Sequence, residues 1–243
     1  MNVEAIVLAG GKATRLQALD KEHPKALLQL EGRPVLEWAI ARLEATSQRI
    51  LVAAGKDSET IGKPFASKSG VQIIADDNLG TGNALLTAAR HSTAEHVIVC
   101  NADTLNEVDI QAVLKQHLQR NRGATIVLTR DASAQNAGAF SIAKDGQIIR
   151  SLEDQQPLGR RSLNAGWRGA STGLLILPTR LLNDPRIAGA LSFEQEIIPH
   201  ILESEGLFAF DNGERFCLDI GTPERLAVMN KWGRKIAERL RSK

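Results

Sequence analysis

Apolar positions along this chain fall into two alternating rhythms. Ala5–Ala9 is a short continuous run of strand length that ends abruptly at Gly10-Gly11. Leu27–Leu30 reads as a short extended piece before a turn at Glu31-Gly32. From Pro34 the period changes: Val35, Leu36, Ala39, Ile40 and Leu43 recur at helical spacing, with proline suited to the first turn. Ile50–Ala54 and Val71–Ala75 repeat the strand pattern, Gly82–Arg90 reads as a helix, and His96–Cys100 as a fourth strand. Val108–Gln119 is an amphipathic helix and Ala124–Thr129 a further strand. This βαβ rhythm predicts an α/β fold: a Rossmann-like three-layer sandwich whose mixed sheet is mainly parallel, with helices on both faces.

The second half changes character. Ala139–Ala143 and Gln147–Leu152 flank Asp145-Gly146 and predict a hairpin. Gly173–Leu177 is an apolar strand stopped by Pro178. Ser192 with Gln195 has the spacing of a capping box for a helix through Glu203, which Pro199 kinks or delays. Leu207–Phe210 and Phe216–Ile220 read as short strands, and Thr222-Pro223 opens a final helix. No linker or internal repeat interrupts the chain, so the second half is expected to extend the first-half sheet and cover its substrate edge.

Composition narrows the function classes. The chain has 243 residues, enough for one large domain, and 43% of them are apolar. Thirty basic and 28 acidic residues leave a net charge of +2, so no global field drives binding to nucleic acid or membrane. The basic run Lys231–Lys243 suits a solvated helix end. Cys100 and Cys217, the two cysteines, lie in apolar runs without metal-ligand spacing. That usage, a start without a signal-peptide pattern and no run of spanning length predict a cytoplasmic protein.

Three polar clusters follow strands: Gly10–Arg15, Asn101–Asp103 and Asp219–Thr222. In an open α/β sheet, ligands bind at the carboxyl ends of the strands. Glycines let backbone N–H groups approach an anion, and Arg15 and Lys25 add charge suited to phosphate. The loop is neither a P-loop nor a GxGxxG fingerprint. Asp103 and Asp219 are carboxylates amid apolar neighbours, and two such groups over a phosphate loop suit Mg2+. Taken singly, each has an ordinary explanation as a cap or a structural hydrogen bond.

These residues resemble the sugar-phosphate nucleotidyltransferases. LAGGKATRL, continuing to PKALLQLEGRPVLEW, is similar to that family's N-terminal signature LAGGxGTRL…PKPLLPVxGxPLLE. Five further stretches follow in order: LGTGNAL from Leu79, Asn101–Leu105, Thr172–Leu174, SFEQEIIP from Ser192 and FCLDIGTPE from Phe216. The resemblance implies the nucleotidyltransferase A-type fold and a reaction of NTP with sugar 1-phosphate, giving NDP-sugar and pyrophosphate. It implies catalytic roles for Arg15, Lys25 and Asp103, and Mg2+ held by Asp103 and Asp219. Leu8, Ala9, Gly10, Gly11, Thr14, Gly80, Thr81 and Gly82 would bind nucleotide, and Gly138, Asp154 and Thr172 the sugar phosphate. Residues 1 to about 135 would form the nucleotide part, about 136–222 the acceptor part, and 223–243 a C-terminal helix. The expected partners are the two substrates, without nucleic acid or membrane and with room for a homo-oligomer.

Three positions depart from the pattern. Lys12-Ala13 replaces x-Gly, Ala102 replaces the glycine of NGD, and Gln155 stands where a lysine grips the sugar phosphate. Arg160, Arg161 and Arg168 offer substitute charge. The pattern is most similar to guanylyltransferases for mannose 1-phosphate and D-glycero-D-manno-heptose 1-phosphate. Uridylyl or cytidylyl transfer, for instance to N-acetylmuramic acid 1-phosphate, is an alternative. So is a weakened nucleotide-binding or regulatory homologue, or a fold-level likeness in a phosphate-binding module. Asp20-Lys21 also resembles the loop of molybdopterin-type guanylyltransferases.

Overall fold

A computed structural model describes residues 2–10, 24–131, 139–151 and 165–241. In chain order the elements are β1 (Val3–Leu8), β2 (Gln29–Leu30), β3 (Arg33–Pro34), α1 (Val35–Leu43), β4 (Ile50–Ala53), α2 (Ser58–Gly62), β5 (Val71–Ile74) and α3 (Thr81–Ala89). There follow β6 (His96–Asn101), β7 (Thr104–Asn106), α4 (Ile110–Arg120), β8 (Ala124–Thr129), β9 (Ala139–Ala143), β10 (Ile148–Ser151) and β11 (Ala165–Pro178). The chain closes with α5 (Ile198–Ser204), β12 (Leu207–Asp211), β13 (Cys217–Asp219) and α6 (Pro223–Arg241).

Among the described residues nine strands form one sheet. Its backbone is β5-β4-β1-β6, parallel throughout, with β1 flanked by β4 on one side and β6 on the other. β11 runs antiparallel against β6, β8 and β9, and β12 joins β8 in parallel. The expected three-layer arrangement follows from alternation along each strand. Ile6, Leu51 and Val97 face a cluster containing Leu85 of α3, whereas Val7, Val52 and Ile98 face Leu36, Ile40 and Val113 of α1 and α4. Fully burying each such side chain contributes about 2 kcal/mol, so the central strands are the anchored part of the fold.

The second half departs from expectation in three places. β11 is 14 residues long, far beyond Gly173–Leu177. Gly173 reads as a strand boundary in sequence, yet here it lies inside the strand at φ +73°, beside a register shift against β8. That bend lets Ala165–Ala170 pair with β9 and Leu174–Pro178 with β6. Phe216–Ile220 yields a strand outside the main sheet: β13 pairs with β7, a strand the periodicity does not predict. The segment after Ser192 first forms a π turn, Phe193–Ile197, before α5. Pro199 has no N–H to give an α-helical bond, and Ile198 N–H instead reaches back five residues to Phe193 O. Ser192 Oγ accepts from Gln195 N–H as expected, but the reciprocal carboxylate is Glu196, which accepts from Leu191 and Ser192 N–H.

α6 buries Met229, Ile236, Ala237 and Leu240 against Leu30, Trp38, Leu105, Leu218 and Ile220. This third cluster fastens the β7–β13 ribbon and the β2–β3 hairpin to one helix. The two cysteines are buried free thiols, both pushed up to about 12 by burial. None of the described helices is long and apolar enough to cross a membrane.

Candidate active site

The carboxyl ends of β1 and β6 mark the point where the strand order reverses, and the chain opens a cleft there of about 290 Å³. Its lining includes Leu8, Gly10, Lys25, Gly80, Thr81 and Asp103. A wider groove of about 710 Å³ lies at the amino ends of β1 and β4, where Glu44 and Lys115 are the charged residues of its lining. The smaller cleft is the chemical candidate because it lies at the carboxyl ends of the strands and brings the Lys25 ammonium to the Asp103 carboxylate.

Gly10 is required by packing before any ligand arrives. A Cβ at this position would lie 2.7 Å from Gly55 N, so the chain after β1 runs directly against the chain after β4. Gly55 itself has φ +59°, and its N–H donates to Asp76 Oδ2 at 2.9 Å. Asp76 Oδ1 also accepts from Asn78 N–H, which ties the rim of the cleft to the same support. Ala102, in place of the pattern's glycine, is buried and donates its N–H to Leu8 O.

Lys25 follows Pro24 and opens a single 3₁₀ turn. Its Nζ lies 3.6 Å from Asp103 Oδ2. Burial raises the Asp103 carboxyl above the ordinary range, repulsion from Asp219 adds to this, and Lys25 opposes it. Asp219 reaches the site through the β7–β13 ribbon, where it stands opposite Thr104 while Ile220 N–H donates to Asp103 O. Two carboxylates from segments over a hundred residues apart are thus neighbours. Their mutual repulsion and their remaining lone pairs suit a divalent cation that also binds phosphate oxygens. No cluster of three or more His, Cys, Asp or Glu side chains that could hold a metal occurs among the described residues.

The glycines of LGTGNAL have a role the sequence reading did not assign. A Cβ at Gly80 would lie 2.2 Å from Leu191 O, and one at Gly82 within 2.9 Å of the Leu191-Ser192 backbone. Thr81 Oγ1 donates to Glu194 Oε2 and accepts from Phe193 N–H, each at 3.0 Å. The SFEQE segment therefore docks on this loop. Leu79, 58% exposed, presents an apolar face to the cleft.

Thr172 is tied into the sheet. It is fully buried, its hydroxyl donates to Val127 O, and its carbonyl accepts from Asn106 Nδ2. Thr172 does not line the 290 Å³ cleft. Gly11, Thr14, Arg15, Gly138 and Asp154 lie outside the described residues, as do Gln155, Arg160 and Arg161. Arg168 is exposed on β11. Asn101, which sequence reasoning placed in a strand-end cluster without a role, lines the cleft; that reasoning missed Arg225, whose Nη1 lies 2.8 Å from Asp219 Oδ2. Its place two residues after Pro223 at the head of α6 was the available signal.

Comparison with known proteins gives the family and the fold. A model of the MobA-like NTP transferase domain matches residues 5–172. A D-glycero-alpha-D-manno-heptose 1-phosphate guanylyltransferase of Aneurinibacillus thermoaerophilus is 25% identical over 227 residues, covering 91% of this chain and 94% of the relative. A Methanococcus maripaludis protein named bifunctional protein GlmU is 26% identical over 99% of this chain, which spans 57% of that relative's length. Another of that name matches over 39% of its length, so the chain covers about half of these two relatives. Among solved structures, HddC from Yersinia pseudotuberculosis complexed with GMP-PN superimposes with a TM-score of 0.74 at 24% identity, covering 96% of this chain and all of HddC. That likeness shows the shared fold. A family match running from β1 through the bend of β11 takes in the whole cleft except Asp219 and the docking segment, and the chain belongs to the MobA-like NTP transferase family.

Proposed function

We propose that this chain transfers a nucleotidyl group from an NTP to a sugar 1-phosphate, with GTP and a manno- or manno-heptose-configured acceptor as the preferred pair. The observation that carries this reading is the convergence of Gly10, Lys25 and Asp103 on one cleft, with Asp219 beside Asp103. An oxygen of the sugar phosphate forms a new bond to the α-phosphorus. The bond from that phosphorus to the bridging oxygen breaks, and its electron pair leaves with pyrophosphate. Both reactants are anions, so the site supplies positive charge and alignment and no covalent nucleophile.

Lys25 neutralises charge at the α-phosphate, and Arg15 does so on the departing pyrophosphate. Gly10, Gly11 and Thr14 hold the phosphates by backbone and hydroxyl, with Leu8 and Ala9 as the floor. Gly80 and Thr81 fix the rim on which the base rests, and the exposed face of Leu79 suits an aromatic ring. Asp103 and Asp219 would hold Mg2+, which supplies Lewis acidity and aligns the phosphates when bound. Gly138 and Asp154 remain the acceptor contacts, and Gln155 leaves that side short of one cation. The choice of guanine rests on the Aneurinibacillus relative, named a guanylyltransferase and matched over nearly its full length. The proposed setting is the cytoplasm, to which two buried free cysteines are suited, and the proposed role is nucleotide-sugar supply for cell-envelope polysaccharide.

The test is pyrophosphate release from four NTPs against a panel of sugar 1-phosphates with magnesium. Turnover is expected with GTP and a manno-configured acceptor. Turnover with UTP or CTP alone would reassign the base. Measurable NTP binding without turnover on any acceptor would overturn the enzyme reading in favour of a regulatory homologue.

A further inference from the structure

Asp219 already carries a cation of its own. Its Oδ2 accepts from Arg225 Nη1 at 2.8 Å, and its Oδ1 accepts from Gly221 N–H at 2.6 Å. The Arg225 side chain is only 14% exposed, so solvent screens its charge poorly. Thr222 holds the guanidinium's starting point: its Oγ1 accepts from Arg225 N–H and its carbonyl from Leu226 N–H, fixing the first turn of α6. Lys25 faces Asp103 in the same way. The two carboxylates and two cations of this cluster sum to zero charge before any substrate enters.

We propose that Arg225 is a positioning residue that acts as a built-in counter-ion of Asp219. It holds the nucleotide-free site against capture of a stray divalent cation, so that the cation arrives together with the phosphates of the nucleotide. The inference rests on the metal assignment made under the proposed function. A dication beside Asp219 must sit close to a fixed guanidinium, and that repulsion weakens binding to the protein alone. Phosphates reverse the balance, because they attract the dication and the guanidinium at once. Geometry does not block this second state: each Asp219 oxygen keeps a lone pair beyond its present bond.

A purely structural pair, which only fastens α6 to the turn after β13, makes a different prediction. Removing Arg225 would then lower stability and leave cation affinity unchanged. Mn2+ titration of the nucleotide-free full chain, read by loss of the free-ion electron paramagnetic resonance signal, separates the two. Arg225→Gln is expected to bind Mn2+ about fivefold or more tightly than the natural chain, and Arg225→Lys within about twofold of it. Arg225→Met removes the charge while keeping an apolar stem, and carries the same expectation as the glutamine variant. Equal or weaker binding in the charge-free variants would overturn the proposal, as would failure of both to fold.

A control identifies which idea has failed. Asp103→Asn and Asp219→Asn should each weaken Mn2+ binding measured with a non-hydrolysable NTP analogue. If neither does, the metal assignment falls and the counter-ion role falls with it. If both do while Arg225→Gln shows no gain, only the role of Arg225 is lost.

Discussion

The amide of Gly82 donates to the carbonyl of Leu191 at 2.8 Å, joining the first turn of α3 to the segment that leads into α5. The bond exists because residues 80 and 82 have no side chains to hold the two backbones apart. Through it, the rim of the cleft and the segment that precedes α5 become one surface.

Gly80→Ala and Gly82→Ala should each separate these surfaces. At Gly80 the added methyl meets a carbonyl oxygen 2.2 Å away, and φ is +154°. A destabilisation of about 1–3 kcal/mol is expected for each, visible as a lowered melting temperature. Turnover should fall at temperatures where the variants remain folded. A melting temperature within a degree of the natural chain would show that the docking contributes little.

Asp103→Asn and Asp219→Asn keep the size of the side chain and remove its charge. Turnover is expected to fall by about 100-fold or more in each, with the far-ultraviolet circular dichroism spectrum unchanged. Near-normal pyrophosphate release in either variant would remove that residue from the catalytic set.

Thr172→Val tests whether the hydroxyl is structural. It should cost about 1 kcal/mol through the lost bond to Val127 O, leaving the Michaelis constant for sugar phosphate unchanged. A several-fold rise in that constant, with stability intact, would restore Thr172 to the acceptor site.

His117 makes folding sensitive to pH. It is 2% exposed, and its ring nitrogens lie 3.0 Å from His96 Nδ1 and 3.0 Å from Thr125 Oγ1. Burial, then His96 and Arg120, push its pKa down to about 4, and burial also lowers His96. The native state therefore resists a proton that the unfolded chain accepts near pH 6.5. This contribution is fully present above about 6.5 and is lost as pH falls towards 4, by roughly 2–3 kcal/mol. Urea unfolding of the natural chain and His117→Gln across that range should show a steeper decline in the natural chain. Parallel curves would exclude the histidine as the cause.

The parallel core and the residue types of the site were legible in the amino-acid pattern. Runs such as Ala5–Ala9 and Ile50–Ala54 are too short and too apolar to serve as anything but buried strands beside amphipathic helices. Gly10–Arg15, Asn101–Asp103 and Asp219–Thr222 follow strands, and the strand-end rule already places them on one edge. The route by which distant groups meet emerged from tertiary pairing. Asp219 reaches Asp103 on a ribbon outside the main sheet, Arg225 occupies Asp219, and the glycines at 80 and 82 serve a backbone contact with Leu191. Those facts escape periodicity because pairing between remote segments depends on loop closure and mutual fit, to which no local spacing is sensitive. Thr172 shows the same limit: its motif is local, but the bend at Gly173 that turns it inward exists only once β11 pairs with both β6 and β9.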